Sequence, residues 1–154
     1  MSKLERLSII CSKGSLDMAY PGLVLANAAR MSGIDVMMFF TFWGLDIVNK
    51  NKADHLHLSL VGNPSLPIPA MIAGLPGMEA LASAQMRKDM KRLDIPPIRE
   101  FLTMLSDAGT ELYACHLAMD MFKVPREALV PEVKDVISAM DFFDKTGSAQ
   151  ILFI

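Results

Sequence analysis

Cys115 stands where a short apolar segment, Glu111-Leu112-Tyr113-Ala114, gives way to a helical one, His116 to Met121. A thiol at a junction of strand and helix meets the first free amides of the helix and its positive dipole end. Both favour the thiolate, which is the nucleophilic form. The only other cysteine, Cys11, also closes an apolar strand-like run, Leu7 to Cys11. It is read as a core residue in preference to a partner that resolves a disulfide with Cys115, because strand cysteines are commonly interior. Cys115 is therefore the leading candidate for chemistry, although a buried apolar role suits it as well.

Other residues are candidates for support. Lys13 and Gly14 lie in the turn Ser12-Lys13-Gly14-Ser15 after the first run, which leads into a helix N-terminus suited to an anion. Were the first and third strands neighbours, Lys13 could favour a Cys115 thiolate. Thr41 and Trp43 belong to Thr41-Phe42-Trp43-Gly44 after the second apolar run, and His116 and Asp120 are four apart on one helix face. These last two form either a base with its orienting carboxylate or a plain surface pair. His55 and His57, with Cys115 or His116, match no standard zinc spacing, so no metal is expected. No phosphate-binding P-loop and no G-x-G-x-x-G is present, so no nucleotide cofactor is expected.

The elements that must position these residues alternate. Apolar runs at 7–11, 34–40, 111–115 and 150–154 read as strands, with 128–130 a candidate short one. Helices are expected from Asp17 to about Ser32, Gly77 to about Leu93, Ile98 to Ala108 and Leu117 to Phe122. A strongly amphipathic one is expected from Glu132 to Lys145, where Val133, Val136, Ile137, Met140 and Phe143 share a face. A short helix should follow Trp43 as far as Asn49. The stretch from Lys50 to Pro76 has no clear period and is long for a plain loop, so a lid or an interface is expected there. The pattern predicts one three-layer αβα domain over residues 1–154, with a mainly parallel sheet of about five strands. In such a sheet, ligands gather beyond the C-terminal strand ends, where the three candidate segments fall.

Composition bounds the partners. A chain of 154 residues fits one domain, and its 52% of hydrophobic residues supports a substantial core. A formal net charge of −2 argues against nucleic acid. The basic set Arg87, Lys88, Lys91 and Arg92 reads first as a solvated helix face, and only second as a surface for an acidic partner or a bilayer. The uncharged stretch from Val61 to Met78 holds four prolines, which break the hydrogen bonding a membrane helix needs. The segment Met1 to Arg6 is charged and enters a short apolar run, unlike a signal peptide, and a cytoplasmic location is expected. Mean hydropathy is +0.33, and the first long helix carries no charge from Met18 to Ala29. Excess apolar surface of this kind points to a homo-oligomer.

Four segments carry a resemblance. Ser12-Lys13-Gly14-Ser15-Leu16-Asp17-Met18-Ala19-Tyr20-Pro21, Phe39-Phe40-Thr41-Phe42-Trp43-Gly44-Leu45, Leu75-Pro76-Gly77-Met78-Glu79 and Ala114-Cys115-His116-Leu117-Ala118-Met119-Asp120-Met121-Phe122 occur in this order over nearly the whole chain. Together they resemble the DsrE/DsrF-like (DsrEFH) sulfurtransferase family, in the branch that carries a peroxiredoxin-like label. The resemblance implies a small α/β fold assembling into trimers or hexamers. It implies that Cys115 accepts sulfane sulfur, as a persulfide or thiosulfonate, and passes it to a protein thiol. It implies a TusA-like carrier or a rhodanese as partner; the thiolate chemistry of such a carrier needs no metal and no redox cofactor. Some relatives have a further cysteine in the middle region; this chain has none between Cys11 and Cys115. Two other functions compete: a non-catalytic oligomeric binding or scaffold protein with a buried cysteine, and a thiol peroxidase, for which no threonine–cysteine–arginine arrangement is evident.

Overall fold

The computed structural model describes residues 3–154; Met1 and Ser2 of the N-terminal segment lie outside the described residues. Five strands form one all-parallel sheet: β1 (Arg6–Cys11), β2 (Asp35–Phe40), β3 (Glu111–Cys115), β4 (Val133–Ile137) and β5 (Gln150–Phe153), in the order β4-β3-β2-β1-β5. Six α-helices accompany them: α1 (Leu16–Met31), α2 (Ala70–Ala73), α3 (Met78–Arg92), α4 (Ile98–Asp107), α5 (His116–Phe122) and α6 (Ala139–Thr146). Three 3-10 turns, Phe42–Val48, Ala53–His55 and Arg126–Ala128, complete the chain. The expected three-layer parallel α/β architecture is what forms.

The inner strands read as unbroken apolar runs because both sheet faces are covered. Register partners share a face, so Cys11, Phe40 and Ala114 form one row. That row faces α1: a Cβ added to Gly22 would lie 3.0 Å from the Cys11 sulfur. Packing of α1 against α4 completes this layer. On the other face, Phe39 stacks on Phe142 of α6 at 5.0 Å between ring centroids, Lys145 sits over the Tyr113 ring at 5.1 Å, and Thr146 donates to Ser8 at 3.2 Å. One eight-residue helix covers this second face, against two longer ones on the first.

The expected helix from Glu132 to Lys145 does not exist as one element. It divides into the edge strand β4 and helix α6, and the expected strand at 128–130 is replaced by a turn and a single bridge from Leu129 to Asn49. Val133, Val136, Ile137 and Met140 fit a helical period, but the first three are β-branched and favour an extended chain beside β3. Ser138 then starts α6 with a capping box. Its hydroxyl accepts from the Asp141 amide at 3.1 Å, and Asp141 accepts from the Ser138 amide at 2.9 Å.

The apolar side of α3 is only partly covered. Met86 and Met90 are half-buried, Leu81 and Leu93 are exposed, and the one fully buried residue is Ser83. The 50–76 stretch is irregular apart from the turn at Ala53–His55 and the short α2.

The ends of β1 and β2 interlock through their backbones. The Thr41 amide donates to the Cys11 carbonyl at 3.0 Å. A Cβ on Gly44 would come within 2.0 Å of the same carbonyl oxygen, and one on Gly14 within 2.3 Å of the Trp43 carbonyl oxygen. Only glycine fits at either position. We predict that Gly44→Ala costs of order 1–3 kcal/mol, read as a lower urea midpoint. Gly74→Ala, where the nearest atom would lie 3.4 Å away, should change it by less than about 0.5 kcal/mol.

Cys11 is 1% exposed, and burial pushes its thiol from 9.0 up to about 12. The folded state therefore holds a proton that the unfolded chain gives up first. The stabilisation is complete below the free thiol's range and is lost as pH rises from 9.0 toward about 12. Cys11→Ala should flatten the decline of stability over that range, measured by urea unfolding at stepped pH; an unchanged slope would assign the decline to other groups.

Candidate functional site

The three predicted segments do converge on one edge of the sheet, because β1, β2 and β3 are parallel and in register. Cys115 is the last residue of β3 and the N-cap of α5. It retains 5% of its surface. Following Ala114 along the strand, it takes the opposite face from the row that holds Cys11. The strand β2 intervenes, so β1 and β3 are not neighbours and the two cysteines stand two strand spacings apart, about 10 Å. That exceeds the roughly 7 Å limit for Cα atoms joined by a disulfide. Both cysteines are free.

The same intervening strand separates Lys13 from Cys115. Lys13 is exposed and lines an open groove of about 610 Å³ with Gly14, Trp43, His57 and Glu79, and Cys115 is not part of its wall. The condition under which Lys13 would assist the Cys115 thiolate, adjacent strands, is not met. Within the groove His57 approaches Glu79 at 3.9 Å, and Lys52 pairs with Asp46 at 2.9 Å. The strand order reverses at β1, where a parallel sheet ordinarily opens a crevice. Here Ser12 bridges that point, since its amide and hydroxyl both donate to the Ile154 carbonyl, at 2.8 and 2.9 Å.

At the far end of the helix that Cys115 starts, the structure assembles aromatic groups instead. Phe122, the last residue of α5, stacks on Trp43 at 4.4 Å and meets Phe42 edge-on at 6.4 Å. Trp43 is 60% exposed and Phe42 45%. Met119, on the same helix, is buried against the core. Phe42 holds a left-handed backbone at φ +47°, a costly conformation for a bulky residue. It is sustained by the close approach of Gly44 to the Cys11 carbonyl and of Gly14 to the Trp43 carbonyl. His116 and Asp120 do pair, Nδ1 to Oδ2 at 3.1 Å, on the solvent side of α5. Thr41 is tied by its amide to Cys11 and half-buried.

Phe122 is the residue that spacing alone passed over as a member of the site. Its signal is an aromatic side chain ending a seven-residue helix that begins at the cysteine. The Phe42 backbone leaves no such trace in sequence. Among the described residues no three His, Cys, Asp or Glu side chains come together as a metal site, and no helix is long and apolar enough to cross a membrane. Of the basic set on α3, Arg87 is half-buried and donates to the Leu56 carbonyl, and Arg92 pairs with Asp89 at 3.5 Å; Lys88 and Lys91 face solvent.

Known proteins are similar to this chain over nearly its full length. The chain is 33% identical over 155 aligned residues to the sulfur carrier protein DsrE2 of Allochromatium vinosum, with 96% of each chain covered. It is 23% identical to the uncharacterized protein YrkE of Bacillus subtilis, with 97% of each covered. Among solved structures, the ychN protein from E. coli superposes with a TM-score of 0.56 at 15% identity, covering 98% of this chain and all of the other. A protein of unknown function from Methanobacterium thermoautotrophicum, MTH1491, gives 0.55 at 9% identity, with 97% and 99% covered. Both share the fold. Residues 3–154 match the model of the DsrE/DsrF/DrsH-like family, and the chain belongs to that family.

Proposed function

We propose that this protein is a sulfur carrier whose working thiol is Cys115. The observation that carries this is the contrast between its two cysteines. Burial holds the Cys11 thiol neutral up to about 12, on the α1 face. Cys115 takes the other face, retains 5% of its surface and starts α5, whose His116, Leu117 and Asp120 reach solvent. The similarity to a relative named as a sulfur carrier supports the same assignment.

The chemistry needs only thiolates. Cys115 attacks the outer sulfur of a donor persulfide; the donor S–S bond breaks, its electron pair leaves on the donor thiolate, and Cys115 holds the persulfide. A thiolate of the acceptor then attacks that outer sulfur and releases the Cys115 thiolate. With tetrathionate, attack on the central S–S bond leaves a thiosulfonate on Cys115 and releases thiosulfate. Each step moves zero-valent sulfur without an outside oxidant. Trp43, Phe42 and Met119 supply an apolar rim that shields the loaded sulfur from water and oxidants. Gly14 and Thr41 shape that rim through the β1–β2 interlock, and the His116–Asp120 pair offers the acceptor a polar contact. Lys13 serves in the neighbouring groove, where it attracts an anionic donor rather than contacting the thiol.

At 5% exposure the sulfur must be uncovered before a protein thiol reaches it. The element that gives way is α5, short, solvent-facing at His116, Leu117 and Asp120, and fastened at its far end by Phe122. We assign the acceptor to a TusA-like carrier or a rhodanese, and the working form to a cytoplasmic homo-oligomer of three or six chains. The exposed Val24 and Leu25 on α1, and Met140 and Phe143 on α6, are surface for such assembly.

Intact-mass measurement after polysulfide treatment tests the assignment. One added sulfur is expected in the natural chain and in Cys11→Ser, and none in Cys115→Ser. A gain that persists in Cys115→Ser overturns it. A Cys115 that is neither loaded nor alkylated until the protein unfolds supports instead a scaffold protein with a buried thiol.

A further inference from the structure

Protein interiors are close-packed, yet the larger apolar side chains that seat α3 on the core are only the half-buried Met86 and Met90. Only Ser83 of its 15 residues is buried, and it is held by a hydrogen bond from the Leu58 amide at 2.7 Å. Beneath the helix lies a cavity of about 430 Å³, within the range that holds small molecules. Leu16, Tyr20 and Ile98 form its floor, all of them buried, and the flexible side chain of Met90 forms part of its roof. The Tyr20 hydroxyl is turned aside by donating to the Pro96 carbonyl at 2.9 Å, which leaves the ring face as wall.

Four charged residues also line this space, and their partners differ. Asp54 accepts from the Arg99 amide at 3.1 Å, and Glu100 lies in the first turn of α4, where the helix dipole favours a carboxylate. The two cations lack such counterparts. Arg87 donates to the neutral Leu56 carbonyl, and Lys91 has no hydrogen-bond or ion-pair partner among the described residues. Four apart on α3, they share a helix face.

We propose that this cavity binds a small amphipathic anion, with an apolar body between Met90 and the Leu16–Tyr20–Ile98 floor and a carboxylate-like head at Arg87 and Lys91. The site lies on the α1–α4 side of the sheet, away from the face that Cys115 takes, and stands independently of the sulfur chemistry. Bound there, the ligand adds apolar contacts to those of Met86 and Met90 and seats the helix more firmly.

Calorimetric titration with decanoate, decyltrimethylammonium and decanol, each below its micelle or solubility limit, tests this. One decanoate per chain is expected to bind saturably, raise the melting temperature, and bind at least about tenfold tighter than the cation. Lys91→Glu, at an exposed position, should weaken decanoate by about tenfold or more and leave decanol unchanged. Ile95→Trp, which fills the cavity from its wall, should abolish binding of all three. Absence of saturable binding, equal affinity for anion and cation, or decanoate affinity unaltered by Lys91→Glu overturns the proposal. If Ile95→Trp does not fold, the Lys91→Glu comparison decides alone.

Discussion

The contact on which the rest depends is the backbone interlock between the ends of β1 and β2. Three groups meet there without side chains: the Thr41 amide on the Cys11 carbonyl, Gly44 pressed on the same oxygen, and Gly14 pressed on the Trp43 carbonyl. This close approach turns the chain sharply after Phe40 and forces Phe42 into a left-handed backbone. The turn carries Trp43 across to Phe122, and so reaches α5 and the cysteine that starts it. Strain at Phe42 is tolerated because fully buried neighbours, Leu45, Ile47 and Val48, anchor the following turn.

The two thiols show how position on a parallel sheet divides chemically identical groups. Cys11 shares a row with Phe40 and Ala114 and points into the α1 layer, where burial withdraws it from reaction. Cys115 ends β3 in the alternate row, at the edge where the chain leaves the sheet for α5. One strand between β1 and β3 suffices to prevent a disulfide between them and to keep Lys13 in a separate groove. The carrier reading thus rests on a single cysteine at the start of α5, whose far end is fastened by the Trp43–Phe122 stack.

The sheet's two faces are unequally covered, and this shapes the molecular surface. Two helices of full length bury one face, while α6 alone spans the other with Phe142 and Thr146 directed inward and Met140 and Phe143 outward. On the better-covered side, α3 adds a further layer that it does not complete, since of its larger apolar side chains only Met86 and Met90 pack on the core. Met86, Met90 and polar contacts to the 56–58 segment hold this helix, and a cavity remains beneath it.

Much of the fold was legible because its signals are local. Apolar runs bounded by turns marked β1, β2, β3 and β5, and glycines at positive φ, Gly33 and Gly109, end the α1 and α4 segments. The division of 132–145 was not legible from period alone, since Val133, Val136 and Ile137 satisfy a helix as well as an edge strand. The Ser138–Asp141 capping box was the local clue that separates them. By itself the sequence determined the fold class and Cys115 at a strand–helix junction, because propensity and spacing act over a few residues. Only the tertiary structure decided the strand order, the opposite faces of the two cysteines, the Phe122 contact and the space under α3. Those depend on which distant segments share a row or a layer, and side-chain alternation within one strand does not say which strand lies beside it.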